Sequence, residues 1–475
     1  MWSYVQYRRI GRDLQRLANK EPKIARSQKG QDLVSDDLEA PKADSYPLST
    51  LESKGNGHAT ARCRGEDRIV LRVEGDDDPL GPKNWPLTAR CKNIAILSFL
   101  IFAQAWAGAA EPMANKTASA EFGVSQVAEN LSTAMYLFGI GSGALFAGPL
   151  FETVGRNPTY LVSTFCYLFF VLGSALTPTF RGQVVCRFLV GLFSSATLSI
   201  NGSSGPIIAW ANVAAPAIAP IAGGWIVTLI ISSLAFLVSF LFLPEMRITG
   251  DSRYVSEHAE SASFIRKLRQ VGPLPAKFLT QEPVIAVFGG YLTLLYILLF
   301  TFLSGFDYIF KETYQLSTAL TGSYFASIAA GATFFTLLAP GLYSWARWET
   351  EFVRGSSIEP EFRLWPALVA APDSGACFVF GMVIIAIYVS SYEYIIDGSY
   401  EDHSAIGLAS ITILRYLVAG GMVMAVRPMY GGIGTHWTMT LLGCIAVMLL
   451  PAPLAFWRYG RKLRSRSPYA NGPDD

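Results

Sequence analysis

The sequence predicts an all-α polytopic membrane protein, and three observations carry that reading. The chain of 475 residues is 51% apolar and only 16% charged, where a soluble protein holds about 25% charge. The charges crowd into residues 1–90, 244–283, 344–363 and 458–475. Between those islands lie apolar runs of roughly 18–25 residues, the length of helix that crosses ~30 Å of hydrocarbon. A transmembrane β-barrel would instead show alternating segments of about ten residues.

The N-terminal 90 residues are polar and rich in Ser, Asp, Lys and Gly, so they predict a disordered tail. They contain no cleavable signal peptide, and the first span is expected to insert as its own signal. "DDDPLGPKNWP", Asp76 to Pro86, interrupts any helix with three prolines, and Trp85 suits the membrane interface. Spans follow at 93–113, 131–150, 158–178, 182–200, 284–305, 319–343, 403–426 and 433–456. The polar segment 244–283 divides the spans into an N-terminal bundle, 91–243, and a C-terminal bundle, 284–457. That division suits a transporter built from repeated helical bundles.

Two regions fit this scheme badly. From Gly205 to Leu243 there is no charged residue, and the stretch is twice one span. Two helices fit only if the chain turns sharply at Gly223–Gly224. Residues 364–400 hold one good helix, about 376–396, preceded by a short apolar fragment, Trp365 to Phe378, expected to be a half-helix or re-entrant segment. Basic residues gather in the tail 458–475 (Arg458, Arg461, Lys462, Arg464, Arg466) and before the first span (Arg90, Lys92). Lys and Arg mark the cytoplasmic side, so both termini are expected there, which needs an even number of crossings. A single crossing in 364–400 makes the number odd.

The six cysteines, Cys63, Cys91, Cys166, Cys186, Cys377 and Cys444, form no CxxC pair and read as packing residues. The four histidines are scattered without metal-ligand spacing, and no Walker lysine motif is present. A membrane-embedded metalloenzyme and an ATP-driven pump are therefore both disfavoured.

The turn "GPLFETVGRN", Gly148 to Asn157, joins two spans with a glycine, a proline, an acid and an arginine. Gly148 and Pro149 are expected to end the earlier span, and Glu152 and Arg156 are spaced to pair across a helical turn. The stretch resembles the loop between helices two and three of the major facilitator superfamily, G-x-L-x-[DE]-x-x-G-R-[RK]. Gly148, Leu150, Glu152, Gly155 and Arg156 match it, and Asn157 departs where a second basic residue is usual. "CRFLVGLFSS" resembles the fourth-helix pattern R-F-x-x-G and places Arg187 inside a span. "APAIAPIAGG" resembles the fifth-helix antiporter motif G-P-x-x-G-P-x-x-G-G. Pro216, Pro220, Gly223 and Gly224 match, while Ala215 and Ala219 replace glycines. "DPLGPKNWP", "TGDSRYVSEH", "EPEFRLWPAL" and "RYGRKLRSRSPYA" are similar to segments of fungal drug–proton antiporters of the twelve-helix type.

This resemblance, over about residues 75–470, implies the major facilitator fold of two six-helix bundles. Here the fold is expected to be incomplete, with about 10–12 transmembrane helices. The charged loop between helices four and five, the aromatic turn between five and six, and most of helix nine near Ala376–Gly381 are missing relative to that family. The implied function is proton-coupled export of small amphipathic organic molecules such as drugs, toxins or secondary metabolites across the plasma membrane, by a monomer. The proton gradient supplies the energy, and neither a cofactor nor nucleic acid is involved. The alternatives are a polyamine exporter of the same family and a truncated remnant that transports nothing.

Single residues add candidates. Charged residues inside spans are costly and tend to be functional. Arg187 and Arg415 are therefore transport candidates, with an interfacial anchor as the other reading of Arg415. Glu111 either faces a central cavity and titrates or sits among headgroups, with Gln104 two turns earlier. Glu393 and Asp397, four residues apart, offer a second acid for coupling or an interfacial anchor. Asn115 and Asn130 head glycosylation sequons close to spans.

Overall fold

A computed structural model gives the fold. The structure describes residues 60–63, 66–71, 86–110, 115–154, 156–200, 205–222, 225–242, 254–256, 274–309, 318–348, 376–398 and 404–449, with a few isolated positions besides. The chain divides into two units, Met1–Cys91 with Leu241–Ser261, and Lys92–Phe240 with Ala262–Asp475.

The first unit carries a three-stranded sheet. Strands β1 (Thr60–Cys63) and β2 (Glu66–Leu71) pair antiparallel, and β3 (Tyr254–Ser256) pairs parallel to β2. The tail composition predicts no such order. The cause is local: Ile69, Val70 and Leu71 form a short run of strand-favouring residues, and Gly65 lies between the two tail strands.

The second unit is helical. Its front half comprises α1 (Leu87–Ala110, its first residues in the first unit), α2 (Asn115–Phe122), α3 (Gln126–Val154), α4 (Arg156–Leu176), α5 (Phe180–Ile200), α6 (Gly205–Ala222) and α7 (Trp225–Phe242). The rear half comprises α8 (Leu274–Gln281), α9 (Pro283–Asp307), α10 (Thr318–Trp348), α11 (Ala376–Gly398), α12 (Ser404–Ile433) and α13 (Thr435–Leu449). Among the described residues, six segments are long and apolar enough to cross a membrane, on α1, α4, α9, α10, α11 and α12, and α6, α7 and α13 hold shorter apolar stretches.

The helices are inside out by the standard of a soluble protein. On α4 the exposed face is Val162, Phe165, Phe169, Leu172 and Leu176, while Ser163, Thr164, Tyr167 and Ser174 point inward. Ile226, Ile230, Leu234 and Leu237 make the same outward stripe on α7. Apolar residues recurring every three or four positions on the exposed face require an apolar solvent, which is lipid.

Within the front half, α3 packs most closely on α5, and α4 on α5. In the rear half, α9 packs on α12, and α10 on α11. The halves meet where α3 lies against α12 and where α6 lies against α10 and α11. Small residues set the two tightest crossings. A methyl on Gly139 would overlap the Phe188 carbonyl oxygen, and one on Gly191 the Tyr136 carbonyl oxygen. In the rear half, Gly331 stands against the Phe378 carbonyl and Gly381 against the Ile328 carbonyl in the same reciprocal way. Backbone meets backbone in both places, as small residues allow in membrane helices.

The structure settles several expectations. The uncharged stretch from Gly205 divides into α6 and α7, with only Gly223 and Gly224 between them. Residues 364–400 contribute one helix among the described residues, α11, which takes in Ala376 to Phe378 from the end of the expected fragment, and the rest of that fragment, 365–375, lies outside the described residues.

Two boundaries differ from expectation. The third helix, α3, does not stop at Gly148–Pro149 but continues to Val154, so only Gly155 separates it from α4. Leu150, Phe151 and Glu152 are adequate helix formers, and a proline so near a helix end leaves few carbonyls without donors. The final pair also shifts, because α12 runs to Ile433 and α13 begins at Thr435. Gly434, at φ +86°, makes this break. Its N–H donates to the Tyr430 carbonyl at 3.2 Å, closing the end of α12.

Candidate functional site

Between the two halves lies a cavity of about 20 Å³. The front half lines it with Ala105, Gly108 and Ala109 of α1, Tyr136, Leu137 and Ile140 of α3, Leu198 of α5, and Asn212 and Pro216 of α6. The rear half closes it with Tyr296, Leu299 and Phe300 of α9 and Tyr416 of α12. The wall is aromatic and aliphatic, with three tyrosines and one asparagine as its polar residues. That volume admits about one water molecule. A drug-sized ligand needs about 300–1,000 Å³, so the halves must part to receive one.

Among the described residues, two side-chain hydrogen bonds from α6 join the halves. The Trp210 indole N–H donates to Thr333 Oγ1 of α10 at 2.8 Å. Asn212 Nδ2 donates to the Tyr388 hydroxyl of α11 at 3.0 Å. The expected antiporter helix is thus at the seam. Pro216, buried inside α6, lines the cavity, and Pro220 lies one turn further on. Neither proline has an N–H, so two carbonyls of α6 lose their usual donors and the helix bends at low cost. Gly223 and Gly224 lie outside the described residues.

Both span arginines are buried beside this cavity. Arg187, 2% exposed on α5, donates from Nη1 to the Ala107 carbonyl of α1 at 3.1 Å. Ala107 sits between Ala105 and Gly108, so the guanidinium stands just behind the front wall. Nearby, the Tyr136 hydroxyl donates to the Gln104 carbonyl at 2.7 Å. The Gln104 carboxamide is 1% exposed, and neither its Oε1 nor its Nε2 is bonded among the described residues.

Arg415 is fully buried at the middle of α12. Its guanidinium carbon lies 4.5 Å from the Tyr296 ring centre, 4.9 Å from Tyr416, 5.4 Å from Tyr388 and 5.5 Å from Tyr392. None of its three nitrogens has a hydrogen-bond acceptor among the described residues. Ring faces attract a cation, by about 2 kcal/mol where water is excluded, but they carry no net charge. Two of these rings, Tyr296 and Tyr416, are also cavity wall, so Arg415 backs the rear wall as Arg187 backs the front.

The other expected residues are scattered. Glu393 is half-buried on α11 beside Tyr392, and the Asp397 side chain lies outside the described residues, as does Glu111. Of the expected latch, Gly148, Leu150 and Glu152 lie on α3 and Arg156 opens α4. Leu150 is half-buried, whereas Gly155 and the side chains of Glu152 and Arg156 lie outside the described residues. Asn115 begins α2, and Asn130 is buried on α3 at 7% exposure, where a folded chain has no room for a glycan.

Sequence reasoning missed the tyrosines. They come from α9, α11 and α12, and only the i, i+4 spacing of Tyr388 and Tyr392 hinted at a shared face. It also missed Glu129, buried at 1% exposure, which accepts a hydrogen bond from Gln183 Nε2 at 2.9 Å. Glu129 stands one residue before a sequon at a span end, where apolar content gives no sign of burial.

Known proteins agree with this architecture. The sugar (and other) transporter family matches residues 93–200. The MFS-type transporter kojT of Aspergillus flavus is 30% identical over 98% of this chain and 99% of its own length. That alignment spans 563 positions against the 475 residues here, so kojT carries sequence that this chain lacks. The efflux pump bik6 of Gibberella fujikuroi is 25% identical, covering 84% of this chain and 95% of bik6. Among solved structures, the human organic anion transporter MFSD10 superposes with a TM-score of 0.52 at 14% identity, over 78% of this chain and all of that one, a likeness of fold. With lipid-facing helices in two halves around a central cavity and a relative matched nearly end to end, the chain belongs to the major facilitator superfamily of membrane transporters.

Proposed function

We propose that this transporter is a proton-coupled antiporter that exports small amphipathic organic molecules across the plasma membrane, working as a monomer with both termini in the cytoplasm. The observation that carries the reading is the cavity between the halves, with its aromatic wall and few polar residues, beside α6 with its two internal prolines. Such a wall accepts varied apolar bodies and orients them with a few hydrogen bonds. Alternating access follows if the halves rock about the cavity, breaking and remaking the Trp210 and Asn212 bonds. Similarity to a protein named as an efflux pump supports the outward direction.

The test compares accumulation of a fluorescent drug in cells with and without the protein, each with and without a protonophore. Lower accumulation that the protonophore abolishes is the expected result. Equal accumulation in all four conditions overturns the reading.

A second reading, a remnant that no longer transports, draws on the sequence that kojT has and this chain lacks. Purified protein in vesicles, inert toward every substrate while folded, would favour it.

A further inference from the structure

We infer that the cavity between the halves takes a small organic acid in its deprotonated form, with Arg415 as the counter-cation. The inference rests on the reading above that this cavity is the substrate site, and it names the class of substrate.

The charge around the cavity is one-sided. Arg187 and Arg415 stand directly behind its two walls, and no described acid lines it. Of the pair, Arg415 is the unsatisfied one. It is fully buried, its nitrogens lack acceptors among the described residues, and four neutral rings surround it. A buried charge without a partner is normally neutralised by a nearby acid or removed from the protein. A retained cation of this kind fits a partner that comes and goes. Ring faces hold the guanidinium in place without discharging it, so its field reaches the cavity undiminished by a counter-charge.

Reach is short. The Tyr296 and Tyr416 rings touch both Arg415 and the cavity, and these two meet edge to face at 5.5 Å. A change of rotamer in either ring, as the halves part, opens a path for a carboxylate to the guanidinium fork. Arg is suited to bidentate capture of such a group. Tyr136, Tyr296, Tyr416 and Asn212 on the wall supply hydrogen-bonding groups for hydroxyls on the same ligand. The aromatic wall takes its ring. A polycation such as a polyamine meets two like charges and no described acid, so the same field rejects it.

The experiment uses the purified full chain in lipid nanodiscs and measures binding calorimetrically. Its three probes are salicylate, its neutral analogue salicylamide, and spermidine. Salicylate is expected to bind at least tenfold more tightly than salicylamide, with spermidine weakest. Arg415→Gln should bring salicylate and salicylamide together, and Arg415→Lys should restore part of the gap. Equal binding of the first two by the unaltered chain overturns the inference, as does tightest binding of spermidine or a gap that survives Arg415→Gln. Should Arg415→Gln fail to fold, the salicylate-to-salicylamide ratio of the unaltered chain decides alone. Drug efflux from cells without a salicylate preference would sink the substrate class and leave the exporter standing. Absence of both efflux and binding would remove both.

Discussion

Gly331→Ala tests the packing of the rear half. The added methyl overlaps the Phe378 carbonyl oxygen and lies 2.8 Å from the Phe378 carbonyl carbon and 3.2 Å from the Met382 nitrogen. All three atoms are backbone, so no side chain can swing away, and α10 must move from α11 by about 1 Å to restore ordinary contact. Overpacking of this kind costs about 1–3 kcal/mol. Alanine recovers up to about 1 kcal/mol of helix propensity. The net expectation is a loss of up to about 2 kcal/mol. Gly290→Ala is the matched control, since a methyl there meets nothing within 4 Å on α9. Thermal unfolding of purified protein in mild detergent should rank the control at or above the unaltered chain and Gly331→Ala below it. Adding Gly381→Ala to Gly331→Ala should cost less than the two separately, because the helices are already apart. A Gly331→Ala protein that melts with the control would refute the close crossing.

Three further outcomes follow from the site. Arg187→Ala removes the donor to the Ala107 carbonyl and should reduce transport more than tenfold while membrane insertion, followed by a fluorescent fusion, stays intact; transport at the unaltered rate would make Arg187 an anchor only. Tyr388→Phe strands the Asn212 amide, at a cost of about 1–3 kcal/mol to the closed arrangement. Faster hydrogen exchange in α6 should report it, and unchanged protection would mean that this bond does not hold the halves. A C-terminal tag probed with protease on intact cells reads the parity of crossings: protection is expected for a cytoplasmic tail, and cleavage would mean an odd number.

The fold was legible where lipid is the solvent, because crossing it demands long apolar runs. The division at Gly223–Gly224 was readable for that reason, since one span cannot use all of the stretch from Gly205 to Phe242. Helix ends were less legible. Nothing in apolar content distinguishes α3 stopping at Gly148 from its continuing to Val154, and the break at Gly434 depends on a backbone angle that neighbouring glycines share equally in sequence. At the site, Arg187 and Arg415 were legible as charges in apolar runs. Their surroundings were not, because Tyr296, Tyr388 and Tyr392 reach Arg415 from helices more than twenty residues away in sequence. Tyrosine is also common at membrane interfaces, which hides its role here.

The two bonds that α6 makes across the seam join an indole, a carboxamide and two hydroxyls, none of which carries a charge. Salt screens charged contacts and leaves bonds of this kind largely untouched. The grip of α6 on the rear half is therefore deaf to ionic strength. A change of salt can shift the balance between closed and open forms only through charged groups elsewhere, so the clasp and the buried arginines are separable parts of the molecule.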